Sequence, residues 1–214
     1  MTPPSPVIAS GYHSGRTAPN KGRTYPPEVL TEDEVESLIR ACSNRAPTGI
    51  RNRALIVTLY RAGLRLSEAL ALKPKDVDPD AGTITVLHGK GDRRRVVGID
   101  PGSMAIVMRW VDQRRVLGLS GRSRLFCTLR GRPLHASYVR TLMHRLGAKA
   151  GVEKRVHPHA LRHSMAYELM WEGVPVPIIQ RQLGHASLAT TQRYLDHLAP
   201  KDLVEAMRRR AFEV

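Results

Sequence analysis

The residues able to do chemistry in this 214-residue chain crowd toward its C-terminal end. His157-Pro158-His159-Ala160-Leu161-Arg162-His163 comes first, then Leu183-Gly184-His185, and Tyr194 lies nine residues beyond His185. Two upstream segments, Gly63-Leu64-Arg65-Leu66-Ser67-Glu68 and Gly89-Lys90-Gly91, add an arginine and a lysine. A phenol oxygen can serve as a nucleophile, and arginine, lysine and histidine side chains can hold and neutralise a phosphate under attack. That inventory suits cleavage of a DNA phosphodiester.

Each piece has a plainer reading beside it. His159 and Arg162 stand at i and i+3, so on a helix they share a face and can meet one ligand. His157, His159 and His163 also invite a zinc site. They lack a glutamate at metalloprotease spacing, however, and Pro158 interrupts the helix start. Packing or phosphate contact suits His157 and His163 better. Arg65 and Glu68 are either a surface ion pair of small worth or a partly buried fork, held by Glu68 for two phosphate oxygens. Lys90 sits between glycines at the tip of an expected hairpin, either as a solvated turn or as an acid for a leaving alkoxide. Beside it, Arg93, Arg94 and Arg95 are expected on backbone phosphates. Tyr194 is one of six tyrosines and would ordinarily be core. What singles it out is the preceding corner, where Gly184 can end one helix and Ser187 can cap the next. The phenol then rides on a separate short helix that can swing toward a phosphate.

The elements that position these residues are mostly helices. Thr31-Glu32-Asp33-Glu34 reads as a capping box, followed by Val35, Leu38, Ile39 and Cys42 at helical spacing. Further helices are expected over 48–62, stopped by Gly63, and over 66–72. The period then changes: 83–87 and 94–99 are β-rich and joined through Gly-Lys-Gly-Asp, which predicts a hairpin. Helices return over 101–116 and 137–150, with a third strand expected at 124–128 between them. From His159 onward the pattern predicts helices over 159–172, 175–183, 187–197 and 201–212. The fold class is therefore α+β, mainly helical, with a small antiparallel sheet.

Lysine and arginine number 34 against 19 acids, a formal net charge of +15, so a polyanionic partner follows. A ribosomal or RNA-binding protein would share this balance. Hydrophobic content of 42% is ordinary for a globular domain, and no apolar run approaches the ~20 residues of a membrane span. The start shows no secretory signal, and Cys42 and Cys127 fit no metal spacing; they read as buried thiols, which suggests the cytoplasm. Residues 1–26 are rich in Pro, Ser, Gly and Thr, with three cations and no acid, and are expected to form a flexible basic arm. The domain proper is expected over 27–199. In the tail, 200–214, Leu203, Val204, Met207 and Ala211 share a helical face, with Arg208, Arg209 and Arg210 around the rest.

Taken together, the segments around Arg65, Lys90, His159–His163, His185 and Tyr194 resemble the tyrosine recombinase (phage integrase) family over roughly residues 28–200, with the motifs in family order. Each motif alone is weak; the ordered set is specific. The resemblance implies that Arg65, Lys90, His159, Arg162 and His185 activate the phosphate, that Tyr194 attacks it, and that Glu68 supports the first arginine. It implies double-stranded DNA as substrate, a tetramer on DNA from monomers in solution, and neither metal nor ATP. Accessory DNA-bending or partner recombinase proteins are also implied, as is a tail that docks onto a neighbouring protomer. Family members mostly carry a further N-terminal helical domain that closes a clamp on DNA. With about 30 residues before the first helix, the expectation is a short form resembling the clamp-less invertases, or an excised catalytic domain. A type IB topoisomerase shares the chemistry, and a DNA-binding regulator that has lost catalysis shares the charge.

Overall fold

In the computed structural model, which describes residues 29–87 and 94–198, the first helix starts where the capping signal places it. The Thr31 hydroxyl accepts from the Glu34 amide at 3.2 Å, and the Glu34 carboxylate accepts from the Thr31 amide at 2.7 Å. Together they satisfy donors that would otherwise be orphaned at the head of α1 (Glu32–Ala41). The second helix, α2 (Pro47–Tyr60), has no amphipathic stripe, because it is buried almost all round from Gly49 to Tyr60. It packs against α1, α3 (Leu66–Ala71), α4 (Pro101–Val116) and α6 (Pro158–Trp171), and so forms the centre of the domain. The remaining helices are α5 (Ala136–Ala150), α7 (Val176–Leu183) and α8 (Leu188–Leu198). Among the described residues no helix is long and apolar enough to cross a membrane.

The sheet is antiparallel in the order β1 (Val77–Asp78), β2 (Thr83–Val86), β3 (Arg95–Gly98). β2 and β3 pair with Ile84 opposite Val97 and Val86 opposite Arg95, as hairpin chemistry predicts. The third strand is not the expected one. Residues 124–128 form no strand; a single bridge joins Cys127 to Pro133, and β1 completes the sheet instead. The reason lies in where that backbone spends its hydrogen bonds. The Leu125 amide donates to the Leu72 carbonyl at 2.7 Å, and the Leu125 carbonyl accepts from the Trp110 indole at 2.8 Å. The buried Arg114 guanidinium takes the Arg124 and Leu125 carbonyls at 2.7 and 2.9 Å, and the Ser123 hydroxyl at 2.8 Å. Side chains of α4 thus supply the partners that a neighbouring strand would have supplied. The expected arm at 1–26, the hairpin tip with Lys90 and Arg93, and the terminal helix at 201–212 lie outside the described residues.

Candidate active site

Arg162 is the hub. Its side chain is buried on α6, and its guanidinium donates to the Gly63 carbonyl and, at 2.7 Å, to the Leu183 carbonyl. Both oxygens lie where helices end, at the turn after α2 and at the last residue of α7, where unpaired carbonyls concentrate negative charge. One side chain therefore ties the Arg65 turn to the corner that carries His185. Gly63 has φ +62, and a Cβ there would come within 1.9 Å of the Met165 side chain, so the turn requires glycine. Burial, then the nearby Arg65, pull the Arg162 pKa down to about 10, which leaves it cationic at neutral pH.

Arg65 caps α3, and Glu68 sits one turn inside that helix with its side chain 3% exposed. The Glu68 carboxylate accepts from the Arg65 amide at 2.8 Å and from its guanidinium at 3.0 Å. It also accepts a two-pronged grip from Arg95, at 2.9 and 2.8 Å. Burial opposes its charge, but Arg95 and the Arg65 amide outweigh that and bring the pKa down to about 2. Arg95 is thus set differently from the expected phosphate contact: both terminal nitrogens are spent on Glu68, and its side chain is only 14% exposed. Strand alternation carried the signal, since Arg95 and Val97 fall on one face of β3 and Val97 is buried. The Gly184 corner passes directly over Arg95. A Cβ at Gly184, where φ is +66, would lie 2.7 Å from Arg95 Nε.

Tyr194 is surrounded by histidine rings. His163 stacks on it with centroids 5.1 Å apart at 24°, and His185 meets it edge-on at 5.2 Å and 81°. His163 also meets His159 edge-on at 4.5 Å. The Tyr194 hydroxyl is buried with no hydrogen-bond partner; Arg162 and Arg65 act on it through charge, short of full hydrogen-bond geometry. Its pKa is pushed up to about 12 because burial outweighs those cations. The phenol therefore keeps its proton at neutral pH in the protein without DNA.

His185 is pushed down to about 4, by burial first and then by Arg162, Arg65, Arg95 and His159. It is a neutral imidazole at pH 7. Its Nε2 lies 3.2 Å from an Arg162 nitrogen, which can only donate, so Nε2 accepts and Nδ1–H faces the Thr191 hydroxyl at 3.1 Å. Thr191, fully buried, is a partner the motif spacing did not reveal. His159 keeps an exposed edge, yet burial of the rest of the ring, and then Arg162, His157 and Arg65, hold its pKa below the usual range. His157 caps α6, its Nδ1 accepting from the Ala160 amide at 3.2 Å. Among the described residues no three His, Cys, Asp or Glu side chains are placed to share a metal ion. Arg94 is exposed at the foot of β3, and Lys90 and Arg93 lie outside the described residues.

Four separate stretches of chain thus bring Arg65, Glu68, Arg162, His159, His185 and Tyr194 together in one site. Residues 28–200 match the phage integrase family. The chain belongs to that family. It is 38% identical over 180 residues to tyrosine recombinase XerC of Halalkalibacterium halodurans, covering 81% of this chain and 59% of that protein. The crystal structure of XerA recombinase superposes with a TM-score of 0.76 at 33% identity, covering 94% of this chain and 72% of that one. The XerH site-specific recombinase, bound to palindromic difH substrate in a post-cleavage complex, gives 0.71 at 31% identity, covering 86% and 54%. The chain spans about three-fifths of the length of the curated XerC relatives it matches. These neighbours share the mainly helical architecture with its small antiparallel sheet, so the fold is that of the integrase-family catalytic domain.

Proposed function

We propose that the chain is a site-specific DNA recombinase that cuts and rejoins double-stranded DNA through a 3′-phosphotyrosyl link at Tyr194, without metal or ATP. The observation that carries the reading is the meeting of Tyr194 with Arg162 and His185 beside the Glu68-held Arg65. The Tyr194 oxygen attacks the scissile phosphorus in line, forming the P–O(Tyr) bond as the P–O5′ bond breaks. With its pKa raised, the phenol keeps its proton until attack, and His159, neutral at pH 7, takes it. Lys90 protonates the departing 5′ oxygen. The incoming phosphate competes with the Gly63 and Leu183 carbonyls for Arg162, while Arg65, less buried, offers its remaining donors.

His185 can donate to a phosphate oxygen from Nε2 only in its other tautomer. Thr191 supports that switch, because its hydroxyl can turn to donate to Nδ1. A 5′-hydroxyl from a partner strand then reverses the reaction, so the energy of the broken linkage is kept. The exposed Arg94, with Arg93 beside it in sequence, is placed in this reading on backbone phosphates. The protein acts as a tetramer on DNA, formed from monomers, with tails of residues 200–214 exchanged between neighbours, and works in the cytoplasm. Accessory DNA-bending or partner recombinase proteins join it there.

The test is to incubate the protein with fragments of the DNA flanking its own gene and to map covalent adducts. Tyr194→Phe removes one hydroxyl that has no hydrogen-bond partner, so the variant should fold and bind DNA while adducts vanish. Normal adduct yield from Tyr194→Phe would refute the assignment. Adducts at random sites with relaxation of supercoils would instead indicate a topoisomerase. Tight binding without any adduct would indicate a regulator.

A further inference from the structure

The face of Tyr194 rests on a neighbour that this chemistry does not use. His163 lies on α6, one turn beyond His159 and next to Arg162, and its ring stacks on the phenol at 5.1 Å and 24°. Near-parallel rings at this spacing are in the offset arrangement that aromatic pairs favour. α8 itself has few deep anchors: Thr191 and Leu195 are buried at 0% and 2%, whereas Leu188 is 48% exposed and Gln192, Arg193 and Asp196 face solvent. The helix therefore touches the domain along a narrow seam. The Tyr194 hydroxyl approaches Arg162 without reaching full hydrogen-bond geometry, so it holds the ring's tilt only loosely. Two rings bear on that tilt directly, His163 against the face and His185 against the edge.

We propose that His163 is a positioning residue for the nucleophile. Its flat ring, carried on the same rigid helix as Arg162, is the platform that holds the Tyr194 ring at the phosphate-binding charges. It acts through stacking, neither as a proton carrier nor as the DNA contact that its place in the motif suggests. This rests on the reading of Tyr194 as the nucleophile. Because attack needs the oxygen in line with phosphorus, a ring free to tilt loses rate while DNA affinity is untouched.

The experiment compares His163→Ala, His163→Phe and His163→Gln with the parent and Tyr194→Phe, on a flanking-DNA fragment that yields adducts with the parent. Adduct formation is followed in a single turnover at saturating DNA, and DNA affinity is measured separately. His163→Ala and His163→Gln should each lose on the order of 10- to 100-fold in saturated rate, with DNA affinity within about twofold of the parent. His163→Phe, which keeps a flat ring and no ionisable group, should stay within about threefold of the parent rate. Parental or faster cleavage by His163→Ala overturns the platform, faster cleavage meaning that the stack is a latch. Lost affinity with an intact saturated rate makes His163 a DNA contact. Glutamine matching the parent where phenylalanine does not assigns its role to hydrogen bonding, and failure of both defeats stacking as its role. If the alanine variant does not fold, the phenylalanine–glutamine comparison alone decides. Adducts from Tyr194→Phe, or no flanking fragment that gives adducts with the parent, bring down the functional reading and the platform with it. An inactive Tyr194→Phe beside a fully active His163→Ala brings down the platform only.

Discussion

Arg95→Ala should both destabilise the domain and change how its stability responds to acid. Glu68 has an ordinary pKa of 4.5 that falls to about 2 in the folded protein, with its side chain 3% exposed. A lowered carboxylate pKa contributes stability that is fully present above 4.5 and is lost as pH falls through 2. The shift corresponds to roughly 3 kcal/mol at pH 7, falling to roughly 2 kcal/mol by pH 3.5. Burial works against this gain, and the Arg95 hydrogen bonds are the largest of the effects that overcome it. Their removal should therefore cost about 2 kcal/mol at pH 7, less than the ~3–5 kcal/mol of a buried pair broken outright, because Arg65 remains as a partner. The assay is urea denaturation of parent and variant at pH 7 and at pH 3.5. Other carboxylates titrate alike in both proteins, so the gap between the two isolates Glu68. The gap should narrow to about 1.6 kcal/mol at the lower pH. In a Glu68→Gln background, adding Arg95→Ala should cost the same at both pH values, because no carboxylate is left there to titrate. A gap that is constant with pH, or negligible at pH 7, would refute the view that Arg95 is what keeps Glu68 ionised.

Other expectations follow from the proposed chemistry. Lys90→Ala should cut DNA roughly 100-fold or more slowly, and a substrate with sulfur at the 5′ bridging position should restore it, since that leaving group needs little acid. The same substrate should not restore Arg162→Ala, whose loss is one of charge stabilisation; equal rescue of both would undo this division of roles. DNA affinity should fall steeply with salt, given a formal net charge of +15, and a flat log–log plot of affinity against salt would show that phosphate contacts do not dominate. Removal of residues 201–214 should leave a folded protein that still forms adducts but neither assembles on DNA nor exchanges strands. Normal recombination by that variant, checked in a two-site assay, would dismiss tail exchange.

The helices that carry the site were legible because their signals are local. The Thr31–Glu34 box, the glycine stops at Gly63 and Gly184, and the Asp100–Pro101 start of α4 each act within a few residues, so spacing alone exposes them. Arg65, His159, Arg162, His185 and Tyr194 stood out for a related reason: their order and spacing along the chain are distinctive. Residues 124–128 misled because a β-rich run says nothing of its partner. Whether it pairs with a strand or with Trp110 and Arg114 is a matter of what lies across from it. Arg95 misled in the same way, since an arginine beside a basic hairpin tip suits solvent until a buried carboxylate stands opposite.

By itself, then, the sequence determined the capped helices, the β2–β3 hairpin and the set of chemically able side chains, all consequences of short-range backbone and charge preferences. Tertiary structure alone decided the rest. It joined Arg162 to carbonyls 99 and 21 residues away, turned Arg95 onto Glu68, gave His185 its Thr191 partner, and stacked His163 on Tyr194. It also decided the protonation of Tyr194, because burial is a property of the packed domain and here exceeds the pull of cations whose presence the sequence announced.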